Sequence, residues 1–177
     1  MLNPVFAARP VTIFQVMSSL ANEAGAINLG QGFPDEDGPR EILEAAAREI
    51  LTRQNQYAPV AGVPELRQAV ARANQRFYGL DIDWKSETLV VAGATEGLAA
   101  CFFWFLNPGD EAIIFAPFYD SYLPVIEAAG ARARIVHLEP PSWEIRAEAL
   151  DAAITPATRL IVVNTPHNPS GSVVSDA

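Results

Sequence analysis

Over 177 residues the chain carries 12 basic and 21 acidic side chains, a formal charge of −9, and is 50% apolar and 19% charged. That balance excludes a disordered chain, which lacks the apolar residues to offset its conformational entropy. The acid excess repels phosphate backbones and anionic headgroups, so neither nucleic acid nor a membrane is an expected partner. A chain of this length buries roughly 70% of its unfolded surface when it folds as one domain. The 12 basic residues are eleven arginines and a single lysine, Lys85. Cys101 is the sole cysteine and has no partner for an internal disulfide, which favours a reducing compartment such as the cytoplasm. Pro4, Arg9 and Pro10 interrupt the start of the chain, so no signal-peptide core is expected. The most apolar run, Leu98 to Leu106, is far short of the roughly 20 residues a membrane-spanning helix needs.

In chain order, the first part reads as helices separated by Gly/Pro punctuation. Thr12 with Gln15 three residues later forms a capping-box pattern ahead of an apolar stripe at Ile13, Val16, Met17 and Leu20. Pro39 after Gly38 suits a helix start, with Ile42, Ala45, Ala46 and Ile50 on one face. Pro64 opens another helix with Leu66, Ala69, Val70, Ala73 and Phe77 aligned, and Gly79 stops it. Two loops rich in Gly, Pro, Asn and Gln, 30–38 and 55–62, lie between them. From about Thr88 the pattern alternates. Near-continuous apolar runs predict strands at Thr88–Ala92, Ala112–Phe115, Arg134–Leu138 and Leu160–Val163, as in parallel strands covered on both faces. Helices are expected near Glu96–Leu106, Ser121–Ala129 and Arg146–Ile154. The rhythm is that of an open, mostly parallel α/β sheet.

Ligands of such sheets sit beyond the carboxyl ends of the strands, which directs attention to four loops. The first, Gly93-Ala94-Thr95-Glu96-Gly97, opens a helix. It can be an anion site of backbone N–H groups and the Thr95 hydroxyl, or a plain strand–helix turn capped by Thr95. Neither G-x-G-x-x-G nor G-K-[ST] is present. The second loop groups Phe118, Tyr119 and Tyr122, which can stack on a planar ligand or simply pack. The third, 139–143, reads as a connector with little chemistry. The fourth, 164–171, holds two asparagines and two prolines in eight residues, a rigid loop with aimed amides or an ordinary Pro/Asn turn. His137 reads as structural, Cys101 as a core residue, and Glu96 as compensation of the helix dipole. His167 has no Cys, His or carboxylate series beside it, and no metal-ligand spacing occurs.

Taken together, INLGQGFPD at 27–35, NQYAPVAGVPELR at 55–67, AGATEG at 92–97, APFYDSY at 116–122 and NTPHNPSG at 164–171 resemble a family. The resemblance is to the N-terminal part of class I/II, fold-type I pyridoxal 5′-phosphate aminotransferases, most like the branch holding methionine, kynurenine and glutamine–phenylpyruvate transaminases. It implies a partial three-layer α/β/α large domain with a mostly parallel sheet, preceded by helical N-terminal segments. Residues 1–50 would be an N-terminal arm with part of the small domain, and 51–177 an incomplete cofactor-binding large domain. By the same resemblance, Gly93, Ala94 and Thr95 hold the cofactor phosphate and Tyr119 stacks on the pyridine ring beside Phe118. Asn168 bonds the ring oxygen and also faces substrate, Gly32 offers its backbone amide to the substrate carboxylate, and Tyr57 reaches the neighbouring subunit's cofactor phosphate. The expected partners are amino-acid and 2-oxo-acid substrates and, for the complete protein, a second copy in a homodimer.

The resemblance further implies a Schiff-base lysine, an aspartate on the pyridine nitrogen with a tyrosine companion, and an arginine for the substrate carboxylate. All four are expected after the N-P-[ST]-G loop. Lys85 is no substitute: it precedes the first expected strand, among Asp81, Asp83 and Glu87, and reads as a solvated surface residue. No catalytic residue is therefore assigned within these 177 residues, and the chain is expected to be an inactive N-terminal fragment. A sheet lacking strands has uncovered edges and faces, so such a fragment alone is expected to be marginally stable or to self-associate. Two readings stand: part of an aminotransferase, or a non-catalytic module that binds pyridoxal phosphate or another phosphate without a covalent bond. A different nucleotide-binding domain is disfavoured because both phosphate fingerprints are missing.

Overall fold

A computed structural model of the chain describes residues 3–174, with 33, 35 and 54 excepted. Phe33 and Asp35, part of the 27–35 motif, therefore lie outside the described residues. The chain divides into two compact units, Val11–Val91 and the combination of Met1–Pro10 with Ala92–Ala177.

The Val11–Val91 unit is helical. Helix α2 (Ile13–Ala24) begins where expected: the Thr12 hydroxyl accepts from Gln15 N at 3.3 Å, and Gly25 ends the helix in the left-handed region at φ 60°. Helix α3 (Arg40–Thr52) follows Pro39, and α4 (Pro64–Tyr78) has Pro64 in its first turn and Gly79 at φ 69° after its last. None of the three buries a residue fully, so the apolar stripes that mark them as helices remain at least partly exposed. The segment Thr88–Ala92, expected as a strand, is not one. A strand is defined by a ladder of backbone bonds. Here Val90 N donates to Ala61 O at 3.1 Å, while Thr88 O is taken by the Arg67 guanidinium at 2.8 Å. Lys85 lies in the turn just before, exposed, with its ammonium 5.7 Å from the Trp84 ring, in agreement with a surface role.

The other unit holds a three-stranded sheet with helices packed on both faces. Helix α1 (Pro4–Ala7), not foreseen from the sequence, is capped by the Asn3 side chain, and Arg9 beyond it pairs with Glu127. Then come α5 (Gly93–Phe105), β1 (Glu111–Ala116), α6 (Tyr122–Ala128), β2 (Arg132–His137), α7 (Ala147–Ala153) and β3 (Thr158–Ile161). Strand order is β2-β1-β3 with both pairings parallel, in register from Glu111↔Arg132 to Ala116↔His137 on one side and, with a register shift between Glu111 and Ala112, from Glu111↔Thr158 to Ile113↔Ile161 on the other. The central strand is the most deeply buried of the three. On one face Ala112 and Ile114 meet Phe102 and Leu106 at the end of α5, and Tyr122 and Ile126 of α6. On the other, Ile113 and Phe115 meet Val136, Leu138, Trp143 and the Ala149, Leu150 and Ala153 side of α7. Full burial of each isoleucine contributes about 1.5–3 kcal/mol, so this doubly covered strand is the natural organiser of the unit.

One further expectation is corrected here. Cys101 is exposed rather than in the core. Helix α5 is apolar on every side, but only its Leu98–Phe102–Leu106 stripe packs on the sheet, so Trp104 (83% exposed) and Cys101 face away. His137 lies in a strand as expected, exposed at the last position of β2 on the edge of the described sheet.

Candidate functional site

Helix α5 starts without a capping side chain. Its N-cap position is Ala92, and Gly93 at φ 84° turns the chain into the helix, a conformation that a side chain would strain. The first N–H groups of a helix have no partner within it. The Ala92 N–H is taken by the Glu96 carboxylate, which leaves those of Gly93, Ala94 and Thr95 at the exposed helix start, beside the Thr95 hydroxyl. Helix dipole and donors together favour an anion here. Glu96 thus acts as expected, within its own first turn.

Topology brings this turn toward two of the other loops. The 13 residues of α5 rise about 20 Å, as do the six of β1, and a short connection joins the end of the helix to the start of the strand. With Phe102 and Leu106 packed on β1, the helix runs back along the strand, and its first turn stands toward the strand's carboxyl end. The loops after β1 and β3 leave from that same end, because the two strands are parallel neighbours.

In the β1 loop, the aromatic trio divides. Tyr122 is buried, and Phe118 and Tyr119 are half-buried against the same cluster. Tyr119 meets Tyr122 edge-on at 6.0 Å, and Tyr122 meets Phe102 edge-on at 6.3 Å. An aromatic chain therefore ties the loop carrying Tyr119 to the helix that Gly93 opens. Burial, with the nearby Tyr119, pushes the Tyr122 hydroxyl above its ordinary pKa of 10.0.

The β3 loop is held by its own polar groups. Asn164 Oδ1 accepts from Asn168 N at 2.8 Å, Gly171 N donates to His167 O at 2.7 Å, and His167 N donates to Ser172 O at 2.8 Å. The Asn168–Pro169 bond is cis. Asn168 is exposed, and among the described residues its carboxamide has no hydrogen-bond partner. The sequence did not reveal that His167, directly before it, is buried, nor that Trp143 in the β2–α7 loop adopts φ 55°. Both follow from packing between loops distant in sequence.

Gly93, Ala94, Thr95, Tyr119 and Asn168 thus belong to one unit, whereas Gly32 and Tyr57 belong to the other. Both of the latter are exposed, and a Cβ on Gly32 would meet nothing within 4 Å. The open groove of about 570 Å³ beside β2, lined by His137, Glu139, Ser142, Arg146 and Glu148, contains none of these residues. Among the described residues, no group of three or more His, Cys, Asp or Glu side chains could hold a metal, and no helix is long and apolar enough to cross a membrane.

An open parallel sheet with an uncapped helix start, an aromatic and a rigid Asn loop toward its carboxyl end defines an α/β protein of the kind whose ligands sit beyond the strand ends. The model of aminotransferase class I and II matches residues 24–177, and the chain belongs to that family. It is 48% identical over 166 residues to a probable N-succinyldiaminopimelate aminotransferase of Mycobacterium tuberculosis, covering 93% of this chain and 42% of that protein. It is 45% identical over 166 residues to the methionine aminotransferase of Escherichia coli, covering 94% and 43% respectively. The solved structures of the M. tuberculosis N-succinyldiaminopimelate aminotransferase and an E. coli methionine aminotransferase superpose with TM-scores of 0.93 and 0.94. Those superpositions cover 99% of this chain and 46% of each structure, at 45% and 42% identity. The chain therefore spans less than half the length of these relatives. Aminotransferases of this family depend on pyridoxal 5′-phosphate.

Proposed function

We propose that this chain forms the phosphate- and ring-binding part of an enzyme that transfers an amino group from an L-amino acid to a 2-oxo acid. The observation that carries the reading is the uncapped start of α5, where the N–H groups of Gly93, Ala94 and Thr95 stand beside the Thr95 hydroxyl. That donor set fits a phosphate monoester: three backbone donors and a hydroxyl match its oxygens, and the side chains of Gly93, Ala94 and Thr95 are small. The chemistry the cofactor supplies when bound is an electron sink for charge developing at the α-carbon. The chain's own residues bind and orient. Gly93, Ala94 and Thr95 take the phosphate, Tyr119 presents its ring to the pyridine, and Asn168 donates to the ring oxygen. Gly32 offers its amide to the substrate carboxylate, Asn168 also serves in substrate binding, and Tyr57 reaches the phosphate bound by a second copy, so the working unit is a homodimer. Residues 1–50 serve as N-terminal arm with part of a small domain, and 51–177 belong to the large domain, in a cytoplasmic protein.

Two named activities among the relatives, on N-succinyldiaminopimelate and on methionine, support a donor with an extended side chain, methionine-, aromatic- or glutamine-like. The test supplies the natural full-length protein with pyridoxal phosphate, 2-oxoglutarate and a donor panel, and follows glutamate formation. Transfer from methionine, phenylalanine or glutamine is expected. Absence of transfer from every donor and to every 2-oxo acid tried, in protein shown to bind the cofactor, overturns the reading.

A further inference from the structure

We propose that His167 is a positioning residue for Asn168, setting where that carboxamide points without touching the ligand itself. The proposal rests on the reading that Asn168 bonds the cofactor's ring oxygen. Among the described residues His167 is the one buried polar side chain, 7% exposed, and a buried imidazole is costly unless bonded. Its Nδ1 shares a hydrogen bond with Ser170 Oγ at 2.7 Å, and that hydroxyl is in turn 2.9 Å from Ser172 Oγ and accepts from Ser172 N at 3.2 Å. The imidazole bond spans Asn168 and Pro169, the two residues between its ends, and it crosses the turn that His167 N–Ser172 O and Gly171 N–His167 O close through the backbone. From the other side Asn164 Oδ1 holds the Asn168 N–H. The asparagine is thus fixed along its main chain on both flanks while its carboxamide stays exposed.

Behind His167 stands an apolar wall. A cavity of about 20 Å³ is bounded by Phe115, Leu138, Trp143 and Val162 together with Asn164 and His167. Trp143 reaches this wall in the left-handed region, φ 55°, with its N–H donating to Glu139 O at 2.9 Å. A bulky residue persists in that region only where its surroundings hold it there. The β2–α7 loop, a connector by its sequence, is therefore the backing against which His167 and the Asn168 turn are set.

The test measures equilibrium affinity of the natural full-length protein for pyridoxal 5′-phosphate and for its 3-deoxy analogue, which lacks the ring oxygen. His167→Leu is expected to weaken pyridoxal phosphate about tenfold and the analogue by less than about twofold, the scale of one charge-assisted hydrogen bond. In an Asn168→Ala background, His167→Leu is expected to add nothing, as for two residues acting through one contact. Equal weakening toward both ligands, or additive losses in the double variant, overturns the positioning role. If Asn168→Ala weakens pyridoxal phosphate no more than it weakens the analogue, the cofactor reading falls and this proposal with it. Should His167→Leu not fold, His167→Asn and His167→Gln carry the same test. The asparagine amide sits where Nδ1 did and keeps the Ser170 bond, whereas glutamine reaches only toward the Nε2 position. Tighter pyridoxal phosphate binding by the asparagine variant is then expected, and equal binding by the two overturns the proposal.

Discussion

Gly62 offers a sharp test of the structure, because two separable effects meet there. Its φ is 97°, and a Cβ built on it would lie 2.3 Å from Val90 Cγ2 and 2.7 Å from Val90 Cβ. Gly62 closes the loop that carries Tyr57, and beside it Ala61 O accepts from Val90 N at 3.1 Å. Alanine at 62 meets the positive-φ penalty, about 1–2 kcal/mol. It also meets an overpacking penalty of about 1–3 kcal/mol, because a β-branched neighbour cannot swing its Cβ away. The sum is a loss of about 2–5 kcal/mol in unfolding free energy, read from urea titration of the natural full-length protein at constant m. Gly79 supplies the control: φ is 69°, but a Cβ there would meet nothing within 4 Å, so Gly79→Ala should lose only the backbone part. Val90→Ala in the Gly62→Ala background removes Cγ2 but not Cβ, and should recover only part of the difference. Equal losses in Gly62→Ala and Gly79→Ala would refute the collision argument and show that the 61–62 and 90 segments do not lie as close as described.

Three further outcomes are expected. Thr95→Ala should weaken pyridoxal phosphate binding by roughly 10- to 100-fold through loss of one hydrogen bond to a charged group, with Thr95→Ser restoring most of it; titration calorimetry reads both. Phe102→Ala, at a side chain 2% exposed between β1 and α6, should cost about 3–5 kcal/mol in urea unfolding. The Tyr122 hydroxyl ionises above its ordinary value in the fold, so its contribution to stability is whole below pH 10 and lost as pH rises from there through the folded value. Tyr122→Phe should therefore flatten the alkaline fall in stability, and an unchanged slope would remove burial of the hydroxyl as its cause.

Much of the fold was legible because single segments declare themselves. The Ala112–Phe115 run needs cover on both faces and receives it, and Pro64 and Gly79 mark both ends of a helix. What remained hidden depends on partners. Thr88–Ala92 has the residues of a strand, but Arg67 and Ala61 take up its polar groups instead of a neighbouring ladder. In α5 the absence of a polar face leaves no pattern to say which side packs, so Cys101 looked buried and is not. For the site, Asn168 stood out because position after a strand is itself a rule, whereas the strand expected before Gly93–Thr95 does not form and those residues are placed by the start of α5 instead. The buried state of His167 and the backbone of Trp143 could not stand out, since each is set by a loop dozens of residues away.

The charge of the chain bears on this site in a way its sign alone does not suggest. A formal −9 disfavours a polyanion, whose many phosphates sample the whole surface, and yet the start of α5 leaves N–H donors uncapped, as the proposed phosphate site requires. The two are compatible because exposed charges more than about 8–10 Å apart are largely screened at physiological ionic strength, while N–H groups act at contact distance. The acidic side chain that matters is therefore the nearest one, Glu96, and its carboxylate is already engaged by Ala92 N. That bond turns the carboxylate to its own helix start and uses the one leading N–H that the resemblance does not assign to the phosphate. Local geometry, not net charge, decides which anion this surface can accept.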